Sequence, residues 1–453
     1  MASSRKSTAS LKASKRIAVA LSGGLDSVVL LDIVCKAQQT NQSATKKTDT
    51  KTSGEAPVEI WAFHIHHGLQ KSADQWLLFC EKLAKKYKIH FDFRLLHLAG
   101  DTAQGNIEAR ARAGRYEALT DLCLEYGITD LLLAHHQNDQ AETVLLQLLR
   151  GAGAAGLSGM PEQRFLDSEA KSISLKRPLL DQSRKELEAY AKKNKLKWIE
   201  DPSNQDTSYR RNAIRKEIIP RLEKIQPDAI ANLARSAQLM ADAQVLLDRV
   251  AQQDGKAILN KNQLMLKSLL KLAERDLPAA NNLIRFWLKS HQLAMPSQER
   301  LHSWWADLKQ VKSDSKLEWR HDSSSIRLWR GHLQVTQQEQ DSQETGQWVF
   351  RPISLRSKTP GLSAQWVAEC QQRGSVEFKV RQGSEKLQLK ANTPRKTLKN
   401  LFQEGDIAPW LRQAPLLYMD GNLIAVAGLG VSYPHLKGSG KRVLPEWVQN
   451  PVK

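Results

Sequence analysis

The chain has 453 residues, a formal net charge of +19 and a pI near 9.7. Its 41% hydrophobic content excludes a wholly disordered chain, and no run approaches the ~18 apolar residues that a membrane-spanning helix needs. A balance this basic calls for a polyanionic partner, nucleic acid first and an acidic membrane surface second.

Residues 1–16 are polar and basic with no apolar core, which reads as a flexible tail and not as a secretory signal. Ile17-Ala18-Val19-Ala20-Leu21 has the length of a buried strand, and residues 28–34 can open a helix. Between them, Ser22-Gly23-Gly24-Leu25-Asp26-Ser27 makes a strand–turn–helix junction, where backbone N–H groups and a helix N-terminus converge on an anion. It is not a Walker A loop: no Lys follows the glycines, and Asp26 sits inside. Further strands are expected at 60–65, 91–96 and 130–134, and helices at 73–88, 106–126 and 139–150. The alternation predicts an α/β domain over residues 17–215 built on a doubly wound parallel sheet. Ligands then bind outside the carboxyl ends of the strands, where 22–27, 64–68 and 135–139 emerge.

Residues 38–55 hold almost nothing apolar and read as a solvated low-complexity insertion projecting away from that crevice. Residues 216–336 form a mainly helical domain, with short strand-like pieces from 318 onward. A polar linker at 337–347 leads to a small α/β domain over 348–453, of mixed α+β character. Nine of the twelve tryptophans follow residue 280, among Lys and Arg. They serve either as core of small domains or as platforms for unpaired bases. Cys35, Cys80, Cys123 and Cys370 show no C-x-x-C spacing, which fits a reducing, cytoplasmic setting.

Three further clusters can carry chemistry. His135-His136-Gln137-Asn138-Asp139-Gln140-Ala141-Glu142 straddles a strand–helix turn without H-x-x-x-H spacing, so a zinc site is disfavoured. Asp139 is either a helix cap or a carboxylate facing bound phosphates as general base or ammonium holder. On the helix at 106–126, Glu108 and Arg112 are spaced for an i,i+4 ion pair, while Arg112 or Arg115 turned into the crevice would complement phosphate. Arg210, Arg211 and Arg215 form either a solvated face or a phosphate-facing edge.

The glycine loop resembles the PP-loop of ATP pyrophosphatases, which split ATP between the α and β phosphates. The loop is followed in order by His64-Ile65-His66-His67-Gly68-Leu69, residues 106–116, and 135–149 with Arg150-Gly151-Ala152-Gly153. Residues 201–215 and Pro220 close the series. Over residues 17–222 it resembles the tRNA(Ile)-lysidine synthetase family, and residues 396–402 and 414–417 resemble that family's C-terminal region less specifically. The resemblance implies ATP-dependent ligation of free L-lysine to C2 of the wobble cytidine in an isoleucine tRNA with a CAU anticodon. An adenylated cytidine would be the intermediate, with release of pyrophosphate and AMP. It places Ser22, Gly23, Gly24, Leu25, Asp26 and Ser27 on ATP, Mg²⁺ on Asp26, and His64 near adenine. Asp139 and Arg112 would serve the lysine and the activated base, and Arg115, Arg150, Arg211 and Arg215 would bind substrate. A homodimer is also implied. The competing enzyme reading is a PP-loop tRNA thiolase, which needs dedicated cysteines that this chain does not space as a pair. A non-enzymatic RNA-binding protein that uses ATP only as a ligand is the other alternative.

Overall fold

The computed structural model describes residues 15–45, 58–66, 73–96, 107–166, 172–311, 317–322, 324–337 and 346–449. Most of the basic tail, residues 46–55 of the insertion, His67, Gly68, Asn106 and most of the linker therefore lie outside the described residues. The chain forms two compact units, Met1–Val250 and Ala251–Lys453.

The first unit is built on β1 (Arg16–Ala20), α1 (Leu25–Thr45), β2 (Glu59–His66), α2 (Ala73–Tyr87), β3 (His90–Leu95), α3 (Ile107–Glu125) and β4 (Asp130–Leu132). It continues with α4 (Gln137–Leu148), α5 (Ala154–Leu157), β5 (Gln163–Phe165), β6 (Ser174–Lys176) and α6 (Arg184–Lys193). The strands order as β3-β2-β1-β4-β6-β5, parallel except for the edge strand β5. Alternate residues of β1 supply the two cores. Val19 packs with Leu30, Leu31 and Cys80 among residues of α1 and α2, while Ala18 packs with Leu119, Leu122 and Cys123 of α3. Helices on both faces make the sheet doubly wound. The strand order reverses between β1 and β4, so the segments leaving these two strands face one crevice.

Two expectations are corrected. Arg16 belongs to β1, where its Nε donates to Glu59 at 2.9 Å, so the tail ends earlier. Residues 38–45 continue α1 and are not an irregular insertion; no Gly or Pro interrupts the helix between Leu25 and Thr45.

After α6 come α7 (Arg210–Ala213), a π turn over Ile214–Ile218, α8 (Ile219–Ile225) and α9 (Ala229–Gly255), along which the unit boundary falls. In the second unit, β7 (Leu259–Asn260) and β8 (Gln263–Met265) form a hairpin inside the stretch expected to be helical. Its two turn residues, Lys261 and Asn262, both take positive φ, the geometry of a two-residue hairpin turn without the usual Asn-Gly signal. Helices α10 (Leu266–Arg275), α11 (Leu277–Ser290) and α12 (Gln298–Gln310) follow. β9 (Glu318–His321), β10 (Ser324–Trp329) and β11 (His332–Gln337) then complete a sheet ordered β7-β8-β11-β10-β9. Trp287, Trp304, Trp305 and Trp319 are buried in its core and Trp348 in the next, so these tryptophans are core residues. In the last region Gly346–Ile353 pairs antiparallel with Arg442–Gln449, and Val376–Lys379 with Leu416–Met419.

One buried polar knot ties the first unit's helices together. Asp32 of α1 accepts from Tyr87 of α2 at 2.6 Å, from Tyr190 of α6 at 2.7 Å and from Lys36 at 2.8 Å. Burial pushes its carboxyl up, but Lys36 and the two phenols outweigh that and hold it below its ordinary value. Asp32→Ala should cost about 3 kcal/mol, and Tyr190→Phe about 1 kcal/mol, of unfolding free energy by denaturant titration. Because the folded carboxyl is the stronger acid, this contribution is present above the ordinary Asp pKa and disappears as pH falls through the depressed one. Equal acid sensitivity of Asp32→Ala and the parent would contradict the assignment.

Candidate active site at the carboxyl edge of the sheet

The glycine loop leaves β1 and turns at Gly23, whose φ is +87°. A Cβ there would stand 3.2 Å from Cys80 Sγ in a backbone conformation that side chains rarely adopt, so the turn requires glycine. Ser27 Oγ donates to the Gly24 carbonyl at 2.9 Å and lies 3.1 Å from Ser22 Oγ, while the Ile199 N–H donates to the Gly23 carbonyl. The loop is closed by its own hydroxyls and opens directly into the 21-residue α1, whose first N–H groups have no intrahelical acceptor.

His64 sits behind this turn, only 4% exposed. Its Nδ1–H donates to the Leu21 carbonyl at 2.8 Å, and burial holds the ring below its ordinary pKa. The structure thus gives His64 the task of fixing the end of β1. Asp26, on the first turn of α1, has a buried Oδ1 without a hydrogen-bond partner. Its Oδ2 is 3.5 Å from His136 Nε2 and 3.9 Å from Arg184.

His136 connects the loop to the second cluster. It caps α4, and its backbone N–H donates to Asp139 Oδ2 at 3.1 Å, so the capping role of Asp139 is realised. Its Nε2 is 3.5 Å from both Asp26 and Asp139. Burial lowers the pKa of this ring, but the two carboxylates overcome it and raise the pKa above its ordinary value. His136 is the site residue that sequence reasoning passed over. Its place beside a helix start was visible, but the approach of the Asp26 carboxylate from the first turn of α1 was not.

Glu142, one turn further along α4, is 0% exposed and sandwiched by two arginines. Arg211 Nε donates to it at 2.7 Å and Arg215 Nε at 2.6 Å; both also reach Asp139 Oδ1, at 3.1 and 3.5 Å. Arg211 and Arg215 therefore turn inward to carboxylates. Arg215 lies on the π turn, a widening of the helix that recurs at functional sites. Asp139, despite burial, is held below its ordinary pKa chiefly by His136 and Arg211.

The other expected residues lie apart from this quartet. Arg112 and Arg115 are exposed on α3, Arg112 stacked over Tyr116 at 5.8 Å. Arg150 is exposed past the far end of α4, about 17 Å from Asp139 by helical rise. Of Glu108 only the helical backbone is described, so its pairing with Arg112 lies outside the described residues. No group of three or more His, Cys, Asp or Glu suited to a metal ion occurs among the described residues.

The sequence matches the family model of a PP-loop domain over residues 2–222, a TilS substrate binding domain over 268–334 and a TilS substrate C-terminal domain over 376–445. A tRNA(Ile)-lysidine synthase of Nitrosomonas europaea is 34% identical, covering 93% of this chain and 89% of the relative. That of Ralstonia nicotianae is 36% identical over 91% of this chain and 88% of the relative. The chain belongs to the tRNA(Ile)-lysidine synthase family. As a lysidine synthase family member with a PP-loop domain it uses ATP, and tRNA is its partner. Burial pushes the thiols of Cys35, Cys80 and Cys123 up to about 12, leaving them protonated and inert, unlike the thiolates a thiolase requires. Among the described residues no helix is long and apolar enough to cross a membrane.

The quartet makes a stability prediction for this lysidine synthase family member. Glu142→Gln preserves shape but leaves two half-buried guanidinium groups facing one carboxylate, which should cost about 3 kcal/mol. Adding Arg215→Gln should recover part of that loss in a double-mutant cycle read by denaturant unfolding. Strictly additive losses would show that the pair is not coupled.

Proposed function

We propose that this chain joins L-lysine to the wobble cytidine of a CAU-anticodon isoleucine tRNA, with the glycine loop and the Asp139 cluster as the two walls of one site. Cytidine O2 attacks the α-phosphorus of ATP and the bond to the β-phosphate oxygen breaks, releasing pyrophosphate. The lysine ε-ammonium gives up a proton to bulk water, the free amine attacks C2 of the adenylated base, and the C2–O bond breaks to release AMP. The observation that carries this reading is the His136 bridge, which stands 3.5 Å from a carboxylate of each wall.

The loop's part is electrostatic. Free N–H groups at the start of α1 and the Ser22 and Ser27 hydroxyls receive the phosphates, and the positive Gly23 φ lets the backbone approach them closely. The unpartnered, buried Asp26 Oδ1 fits a Mg²⁺ ion held by one carboxylate together with substrate phosphates. Such an ion supplies charge neutralisation at the phosphates.

Asp139 is a holder of the lysine ammonium and not its proton acceptor. A carboxylate kept below its ordinary pKa by His136 and Arg211 is a weak base. Among the described residues its Oδ2 accepts only the His136 N–H within hydrogen-bond geometry, which leaves acceptor capacity for an ammonium. Arg211 and Arg215 fix the carboxylate's direction, so they bind substrate through Asp139. We assign Arg112, exposed on α3, to the tRNA side of the site, where the activated base stands.

The decisive experiment follows labelled lysine into an isoleucine tRNA transcript with a CAU anticodon, with the CAU-bearing methionine tRNA as comparison. Incorporation into the first alone, dependent on ATP, is expected. Asp139→Asn should lower kcat/KM for lysine by about 100-fold, a loss of roughly 3 kcal/mol, while ATP binding changes little. Binding of ATP with no tRNA-dependent AMP formation in the parent chain would reject the enzyme reading.

A further inference from the structure

Charge in the crevice is balanced on one side and not on the other. Arg211 and Arg215 meet Asp139 and Glu142, two cations for two anions. Beside them, three further guanidinium groups gather on Tyr116 of α3. Arg164, from the edge strand β5, lies 4.8 Å over its ring, and Arg112 lies 5.8 Å from the ring centre. Arg177, directly after β6, lies within electrostatic reach of Tyr116 and donates to His135 Nδ1 at 3.1 Å and to the Pro161 carbonyl. Arg177 is only 3% exposed. Among the described residues none of these three arginines has a carboxylate within ion-pair distance.

A buried guanidinium without a counter-charge is costly, and two more cations at the same phenol raise that cost. The arrangement makes sense when an anion arrives from solution. Guanidinium forks match phosphate oxygens in pairs, so a phosphate is the chemistry they select. We propose that Arg112, Arg164 and Arg177 form a binding site for a backbone phosphate of the tRNA substrate, distinct from the phosphate cradle of the glycine loop. β6 is two strands away from β1 in the sheet, about 10 Å, which separates the two anion sites. His135 reinforces the site. Burial holds its ring near 3, and because Nδ1 accepts from Arg177 the proton resides on Nε2. Among the described residues that nitrogen has no hydrogen-bond partner, so it offers one more neutral donor to the site. The charges around His135 are Asp139, Arg177, Arg211 and Arg112, which places the ring where the balanced and unbalanced halves meet.

The site rests on the reading of the chain as acting on tRNA, so its test uses binding and not turnover. The affinity of the full chain for an unmodified CAU-anticodon isoleucine tRNA transcript is measured across a salt series, alongside its affinity for ATP and for pyrophosphate. Arg164→Gln and Arg177→Gln should each weaken tRNA binding about fivefold at ~0.1 M salt and reduce the slope of log affinity against log salt by about 0.7. ATP affinity should stay within twofold. Arg164 is exposed, so its variant decides the matter if Arg177→Gln fails to fold. An unchanged salt slope in Arg164→Gln overturns the site. So does a fall in ATP or pyrophosphate affinity with tRNA binding intact, which would assign the arginines to the nucleotide. Absence of lysine incorporation by the parent chain would instead count against the reaction, and the salt slopes would still report the phosphate contact.

Discussion

A carboxylate with no exposure to water must find cations inside the protein, and Glu142 finds two. Its position on the first turns of α4 obliges the segment carrying Arg211 and Arg215 to fold back across the carboxyl edge of the sheet. That return fixes the direction of Asp139, which shares both arginines, and Asp139 in turn holds the start of α4 by capping His136. The crevice is therefore assembled around a charge that has nowhere else to be neutralised. Breaking one member exposes the others to the cost of burial, which is why such a group behaves as a unit.

The same logic explains the histidines. His64, His135 and His136 lie in one neighbourhood yet have three different fates. His64 is neutral because burial dominates and its Nδ1–H is committed to the Leu21 carbonyl. His135 is neutral because it is buried and also faces Arg177, Arg211 and Arg112. His136 has two carboxylates beside it and is pushed the other way. Identical side chains take their protonation from the sign of the nearest charge once solvent is removed.

The loop was legible in the sequence because its chemistry is local. Gly23, Ser22, Ser27 and Asp26 lie within six residues, and the apolar runs on either side announce the strand and helix that display them. The doubly wound sheet was legible for the same reason, each strand being a short apolar run between helical patterns. The quartet was not, because Glu142 and Arg215 lie 73 residues apart and only the fold brings them together. Arg211 and Arg215 read equally well as a solvated face or a phosphate edge until their partners were known. The hairpin at β7 and β8 and the three-residue strands β5 and β6 were missed because such short pieces carry no periodicity. Arg177 escaped notice for a simpler reason: a single Arg after a strand has no sequence signature, and its weight comes from burial.

Three kinds of electrostatic device now stand in a row along the sheet edge. The first is backbone: the N-terminal N–H groups of α1 and the loop hydroxyls, suited to the phosphates of a nucleotide. The second is a neutral set of paired charges whose one under-used acceptor is Asp139 Oδ2, suited to an ammonium. The third is the arginine group on Tyr116, suited again to a phosphate. An anion site on either side of a cation site is the pattern that a nucleotide, an amino acid with an amine side chain and an RNA strand would together fill. The two anionic ligands meet positive groups, and the ammonium cannot exchange places with either of them without putting like charges in contact.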